Sequence, residues 1–154
     1  MVFENIFQYL LHKMSKNDTR CKNSPNFIQI YAMIDVYTLQ KGGFILKIAV
    51  IDDLEIDARQ LADQVSAYMS THRIPADTPE IFPGGEEFLA GFMPGVYDII
   101  FLDIYMNGIN GMQTASKIRL WDTSCHIIFV TTSSDFAVDS YEVKAAYYLI
   151  KPTT

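Results

Sequence analysis

The chain has 154 residues, 49% of them apolar and 19% charged, a balance that suits one globular domain with a real core and excludes disorder of the chain as a whole. Eighteen acidic against twelve basic residues give a net charge of −6, spread unevenly: residues 1–45 carry five basic and three acidic groups (+2), residues 46–154 seven and fifteen (−8). The second part therefore repels phosphate backbones and is a poor nucleic-acid binder by itself.

In chain order, Phe3, Ile6, Phe7, Leu10, Leu11 and Met14 recur at helical spacing, which predicts an amphipathic helix over residues 2–14. A polar, turn-rich stretch follows, Ser15–Asn26. Phe27–Leu39, ambiguous between strand and buried helix, is the longest apolar run; Gln29 and Asp35 break it, and it is too short to cross a bilayer. Glu4 sits where a secretory signal needs positive charge, so neither a signal nor a membrane partner is expected. Lys41-Gly42-Gly43 closes this part. Those codons can spell a purine-rich ribosome-binding sequence, and Leu46 a leucine-codon start, so residues 1–45 are set apart as a leader whose translation is open, and residues 46–154 as the domain.

From Leu46 the punctuation is regular. Leu46–Ile51 is a short apolar strand ended by Asp52-Asp53, and Leu54, Ala58, Leu61, Val65 and Met69 then mark a helix with Glu55 and Asp57 in its first turn. Ile81-Phe82 reads as a weak strand before the turn Pro83-Gly84-Gly85, and Glu86–Phe92 as a short helix. Tyr97–Asp103 is another apolar strand; the loop Asn107–Gly111 opens a helix to about Leu120. His126–Val130, a helix over Asp135–Tyr141, and a last strand Ala146–Ile150 closed by Lys151-Pro152 complete the pattern. Continuous rather than alternating apolar strands imply a parallel sheet covered on both faces, and such sheets bind ligands at the carboxyl ends of their strands.

Those ends carry Asp52-Asp53, Asp103, Thr131-Thr132 and Lys151. Three converging carboxylates repel, by about 4 kcal/mol per pair at 4 Å and an effective dielectric near 20. A divalent cation is the simplest offset, and an all-oxygen donor set without His or Cys favours Mg2+. A carboxylate nucleophile, a lysine and a hydroxyl then suit phosphoryl transfer. Each residue alone has a plainer reading: Asp52-Asp53 as a helix-capping pair, Asp103 and Lys151-Pro152 as strand ends, Thr131 as an ordinary β residue. Jointly, at the ends of successive strands, coincidence is the weaker explanation.

Four segments, Lys47–Asp53, Tyr97–Gly111, Ile127–Thr132 and Tyr148–Pro152, resemble in order the receiver domain of two-component response regulators, over residues 46–152. The stretch Ser133–Val143 further looks like receivers joined to LytTR-type DNA-binding domains. The resemblance implies a flavodoxin-like, doubly wound five-stranded sheet, and with only Thr153-Thr154 after Lys151-Pro152 the receiver is expected to be C-terminally truncated and to lack its last helix. It implies Asp103 as phosphoacceptor, Asp52, Asp53 and Asp103 as Mg2+ ligands together with the Tyr105 carbonyl, Lys151 and Thr131 as groups serving the phosphoryl transfer, and Thr131 and Tyr148 as switch positions. It also implies a sensor histidine kinase as partner, receiver homodimerisation, DNA contact only through a missing effector domain, a cytoplasmic setting, and no enzymatic turnover beyond self-phosphotransfer and autodephosphorylation. Asn107 stands where the family usually has proline and Asn110 where aspartate is common; both are expected beside the site, altering loop stiffness alone.

Three other functions compete. An aspartate-nucleophile phosphohydrolase wants a second acid two residues after the nucleophile, where Tyr105 stands. A flavin carrier needs a Ser/Thr/Gly-rich first loop, which Asp52-Asp53 contradict. A degenerate receiver acting only as an interaction module finds no support in the motif set. His12, His72 and His126 share no ligand spacing, and Cys21 and Cys125 make neither framework nor CxxC, as in a reducing compartment. Cys125 is expected to be a small buried hydrophobe, and Trp121 to pack the end of the third helix of the domain.

Overall fold

The computed structural model describes residue 5 and residues 45–153; residues 1–4 and 6–44, with all but one residue of the helix expected over 2–14, lie outside the described residues. A run of four apolar residues forms each inner strand or its middle: β1 (Ile48–Ile51), β3 (Ile99–Leu102) and β4 (His126–Thr131). β2 (Glu80–Phe82) and β5 (Tyr147–Ile150) flank them, and all pairs are parallel in the order β2-β1-β3-β4-β5. β1 and β3 are buried along their whole length, as strands covered on both faces must be.

On one face, α1 (Glu55–Thr71) sets Ala58, Leu61, Ala62, Val65 and Met69 against Ile48, Val50, Ile99 and Phe101, and the same core continues to Ile128, Val130 and Leu149. On the other, α2 (Gly85–Gly91) and α3 (Gly111–Trp121) contribute Phe88, Ala115 and Ile118 to a core with Ile51, Ile100, Leu102, Ile127 and Phe129. Each face is an apolar layer, so burial fixes which side every strand residue takes.

Two expectations need correction. The stretch Asp135–Tyr141 is a series of turns with one 3-10 turn at Asp139–Tyr141, not an α-helix. Its backbone bonds run mostly three residues back, and the Ser140 hydroxyl donates to the Ala137 carbonyl at 2.7 Å, competing with helical pairing. Trp121 is 72% exposed and does not pack the end of α3. That end is held instead by Arg119, whose guanidinium donates to the carbonyls of Val143 and Asp122 (2.8 and 3.1 Å) and to Cys125 Sγ (3.2 Å). Cys125 is buried, as expected. No described helix is long and apolar enough to cross a membrane.

Candidate functional site

Parallel pairing brings the carboxyl ends of the strands to one edge, and the sheet ladder continues one residue past them. The Asp103 N–H donates to the Ile51 carbonyl (2.9 Å), the Asp52 N–H to the Phe82 carbonyl (3.1 Å), and the Lys151 N–H to the Thr131 carbonyl (2.8 Å). Asp52, Asp103 and Lys151 are thus seated by backbone bonds before their side chains meet.

They meet closely. Lys151 Nζ lies 2.7 Å from Asp52 Oδ2, 2.9 Å from Asp57 Oδ2 and 3.0 Å from Asp103 Oδ2. The side chains of Lys151, Asp52 and Asp103 are 14%, 3% and 5% exposed, so the pairs with Asp52 and Asp103 are shielded from water. Burial pushes the Asp52 carboxyl above its usual range, against the opposing pull of Lys151 and of the Leu54 N–H. Burial alone would lower the Lys151 ammonium; its bonds to Asp52, Asp57 and Asp103 outweigh that and raise its pKa, which keeps it charged at physiological pH. Asp57 is the member that sequence reasoning missed. It was legible only as a favourable acid in the first turn of α1, though that turn begins three residues past Asp52 and faces the same edge.

Asp52, Asp53 and Asp103 each offer one carboxylate oxygen, all within 4.8 Å of one another, with Asp52 and Asp103 buried and Asp53 half-buried. Three oxygens of this type so close together fit a hard divalent cation. Asp103 Oδ1 is pinned by the N–H groups of Ile104 (2.6 Å) and Tyr105 (3.2 Å), leaving Oδ2 toward Lys151. Tyr105 thus touches Asp103 through its amide, while its hydroxyl donates to Asp135 Oδ2 at 3.0 Å and its ring meets Phe136 edge-on.

The plainer reading of Asp52 is met in part. Asp52 Oδ1 accepts from the Leu54 N–H at 2.9 Å, but Leu54 itself is the N-cap of α1 and makes no side-chain cap bond. Thr131 ends β4 fully buried, and its Oγ1 has no hydrogen-bond partner among the described residues; it is not joined to the carboxylate–lysine cluster. Tyr148 is half-buried, with its ring against Phe129 and its hydroxyl donating to the Ser133 carbonyl at 2.6 Å.

Two loop residues carry more than stiffness. Asn107 donates to Asp53 Oδ2 from both its backbone N–H (3.0 Å) and its side-chain Nδ2 (2.7 Å). Asn110 caps α3 in a reciprocal box with Gln113. Helix and strand end touch at Gly111, where a Cβ would collide with the Asp103 carbonyl oxygen and lie 2.8 Å from Ile104 Cα. Glycine is required there by close approach, and the Gly111 N–H donates to the Ile104 carbonyl at 2.9 Å, seating the start of α3 on the Asp103 loop.

A five-stranded parallel sheet with this acid–lysine edge defines an α/β domain of the phospho-accepting signalling class. The chain belongs to the response regulator receiver domain family, matched over residues 48–154. It is similar to the sensory transduction protein LytR of Staphylococcus epidermidis, 34% identical over 99 residues, covering 64% of this chain and 39% of that protein. The LytT protein of Oceanobacillus iheyensis is 40% identical over 70 residues, 44% of this chain and 28% of that one. The chain therefore matches well under half the length of these curated relatives, which agree with a receiver of the LytTR-associated type. Among solved structures, the receiver domain of DrrB activated with BeF3 matches 72% of this chain and 88% of that chain, with a TM-score of 0.58 and 23% identity, a likeness of fold. The response regulator TrrA from Thermotoga maritima, in complex with Mg2+-BeF, matches 71% of this chain and 90% of that chain, with a TM-score of 0.52 and 26% identity.

Proposed function

We propose that Asp103 accepts a phosphoryl group from the phosphohistidine of a sensor histidine kinase, and that the modified chain shifts the surface around Thr131 and Tyr148. The observation that carries this reading is the seating of Asp103: one carboxylate oxygen is fixed by two backbone N–H groups, the other faces an ammonium at 3.0 Å, and two further acids lie within reach. Asp103 directly follows the central strand β3, whereas Asp52 and Asp53 together follow β1, which nominates Asp103 as nucleophile and leaves the pair to hold metal.

In the transfer a carboxylate oxygen of Asp103 bonds to phosphorus as the phosphorus–nitrogen bond of the donor histidine breaks; the imidazole leaves with that electron pair and the acid becomes an acyl phosphate. Asp52, Asp53 and Asp103, with the Tyr105 carbonyl, are the residues that would hold Mg2+, which when bound neutralises charge on the phosphoryl oxygens. Lys151 supplies a second positive contact as a compact point charge. The Thr131 hydroxyl, buried and without a partner among the described residues, has an unused donor that a new anion at Asp103 draws inward. Its displacement opens space toward β5 for Tyr148, which must release the Ser133 carbonyl to move. This is a population shift of a two-state element, about a few kcal/mol in size.

The chain acts stoichiometrically, as a cytoplasmic switch whose turnover is confined to loss of its own phosphoryl group. Its downstream effect is control of a transcription-regulating domain that binds DNA, with pairing of receivers as the means of coupling. Residues 46–154 are the receiver unit of this scheme, and residues 1–45 stand outside it.

The test uses acetyl phosphate as donor and intact mass as readout. The full chain gains the mass of one phosphoryl group with Mg2+ present and none with EDTA, and Asp103→Asn gains none. A gain in EDTA, or turnover of small phosphate esters at a steady rate without a phosphorylated species, rejects the reading in favour of a phosphohydrolase.

A further inference from the structure

We propose that Asn107 is a positioning residue for the cation, presetting Asp53 in its metal-binding orientation. The inference rests on the reading of Asp53 as a metal ligand. Both donors of Asn107 converge on a single oxygen, Oδ2, from the backbone at 3.0 Å and from the side chain at 2.7 Å. Two donors on one carboxylate oxygen restrain the Asp53 side chain, one of whose oxygens lies within 4.8 Å of carboxylate oxygens of Asp52 and Asp103.

The loop that presents Asn107 is itself held. Gly108 takes a positive φ of 77°, which a side chain rarely adopts, and turns the chain back so that the Ile109 N–H donates to Glu86 Oε1 at 2.8 Å. Asn110 then starts α3 through its capping box. The loop from Asp103 to Gly111 is therefore tied to the turn after β1 at Asn107, to α2 at Ile109 and to α3 at Asn110. Its contact with that turn is made through a cluster acid, Asp53. Asp53 is half-buried and on the rim, unlike Asp52 and Asp103, which Lys151 already restrains. Without Asn107 it is the acid with most freedom to lose on taking up a cation.

The two donors separate by mutation. Asn107→Ala keeps the backbone N–H and loses Nδ2; Asn107→Pro loses both. Outer contacts of this kind change metal affinity by about 10–100-fold when removed. Calorimetric titration of the full 154-residue chain with Mg2+ alone is expected to give a graded loss, several-fold for Asn107→Ala and about tenfold or more for Asn107→Pro. Asn107→Ser, which retains a short donor, should recover part of it. The metal-free melting temperatures should stay close to wild type, and acetyl phosphate should label the variants at the wild-type rate once Mg2+ is saturating.

Equal Mg2+ affinity in wild type, Asn107→Ala and Asn107→Pro overturns the inference. So does a loss of affinity that merely follows a drop in metal-free melting temperature, because that is a folding defect. The parent reading fails differently: wild type then shows no Mg2+ binding, or Asp53→Ala binds as well as wild type.

Discussion

Replacing Lys151 by methionine keeps its length and apolar stem but removes the charge that three carboxylates share. In the wild type the ammonium stands 2.7–3.0 Å from Asp52, Asp57 and Asp103, and its side chain is 14% exposed. Removing one partner of a buried ion pair costs about 3–5 kcal/mol, because the remaining charge is left unpaired in a poor solvent. The site acids add mutual repulsion: at 4.8 Å and an effective dielectric near 20, a pair of ionised carboxylates repels by about 3.5 kcal/mol. Protonation relieves this, since Asp52 is already pushed upward by burial and rises further without Lys151. Asp57 is 36% exposed, so its share is screened. The expected loss at pH 7 without metal is therefore about 3 kcal/mol, or roughly 10 °C in melting temperature for a domain of this size. The sign with pH follows from the raised carboxyl. A group that binds its proton more tightly when folded gains stability as pH falls, so the deficit of Lys151→Met should shrink from pH 7 to pH 5. Mg2+ should also shrink it, because it binds the folded form and binds the variant, whose acids have lost the competing ammonium, more tightly than the wild type. Urea denaturation of both proteins at the two pH values, with and without Mg2+, measures all of this. A variant as stable as wild type at pH 7, or a deficit of equal size at pH 5, refutes the electrostatic argument.

Thr131→Val swaps a buried hydroxyl, without a partner among the described residues, for a methyl of similar shape, so it should raise stability by about 1 kcal/mol in urea. The same variant should abolish the phosphorylation-dependent change in amide exchange around Tyr148; a wild-type exchange response would break the proposed coupling. Asp122 tells against acid. Burial alone would raise its carboxyl, but the N–H groups of Gly95, Ser124 and Cys125 and the Ser124 hydroxyl hold it down to about 2. Its contribution is fully present above the ordinary carboxylate range near pH 4 and lost as pH falls through about 2, amounting to about 1–2 kcal/mol after solvent screening. Asp122→Asn should flatten the slope of stability between pH 4 and pH 2, as followed by circular dichroism; an unchanged slope contradicts the assignment.

The sheet was legible because its inner strands are unbroken apolar runs, and the site edge because parallel strands must end together. Asp52, Asp103 and Lys151 could be placed on that edge from the order of the strands alone. What sequence could not carry was side-chain pairing over long separations. The Asp57–Lys151 contact joins residues 94 positions apart, and nothing local to Asp57 distinguishes it from any first-turn acid. Asn107 was assigned to loop stiffness because its partner, Asp53, lies 54 residues away. The turn series at Asp135–Tyr141 was misread for a different reason: its apolar spacing suits a helix, while Ser140 satisfies a backbone carbonyl that a helix would need. Trp121 shows that a large aromatic at a helix end need not be buried.

The central claim is that Asp103, and no other acid of the edge cluster, is the nucleophile. Peptide mapping by mass spectrometry tests it most directly, after wild-type chain is treated with acetyl phosphate and Mg2+ and the acyl phosphate is trapped by borohydride reduction. The account predicts that the reduced residue is found at position 103 alone and disappears in Asp103→Asn, while Asp53→Ala is labelled only at higher Mg2+. Label at Asp52, Asp53 or Asp57, or unchanged labelling in Asp103→Asn, would contradict it.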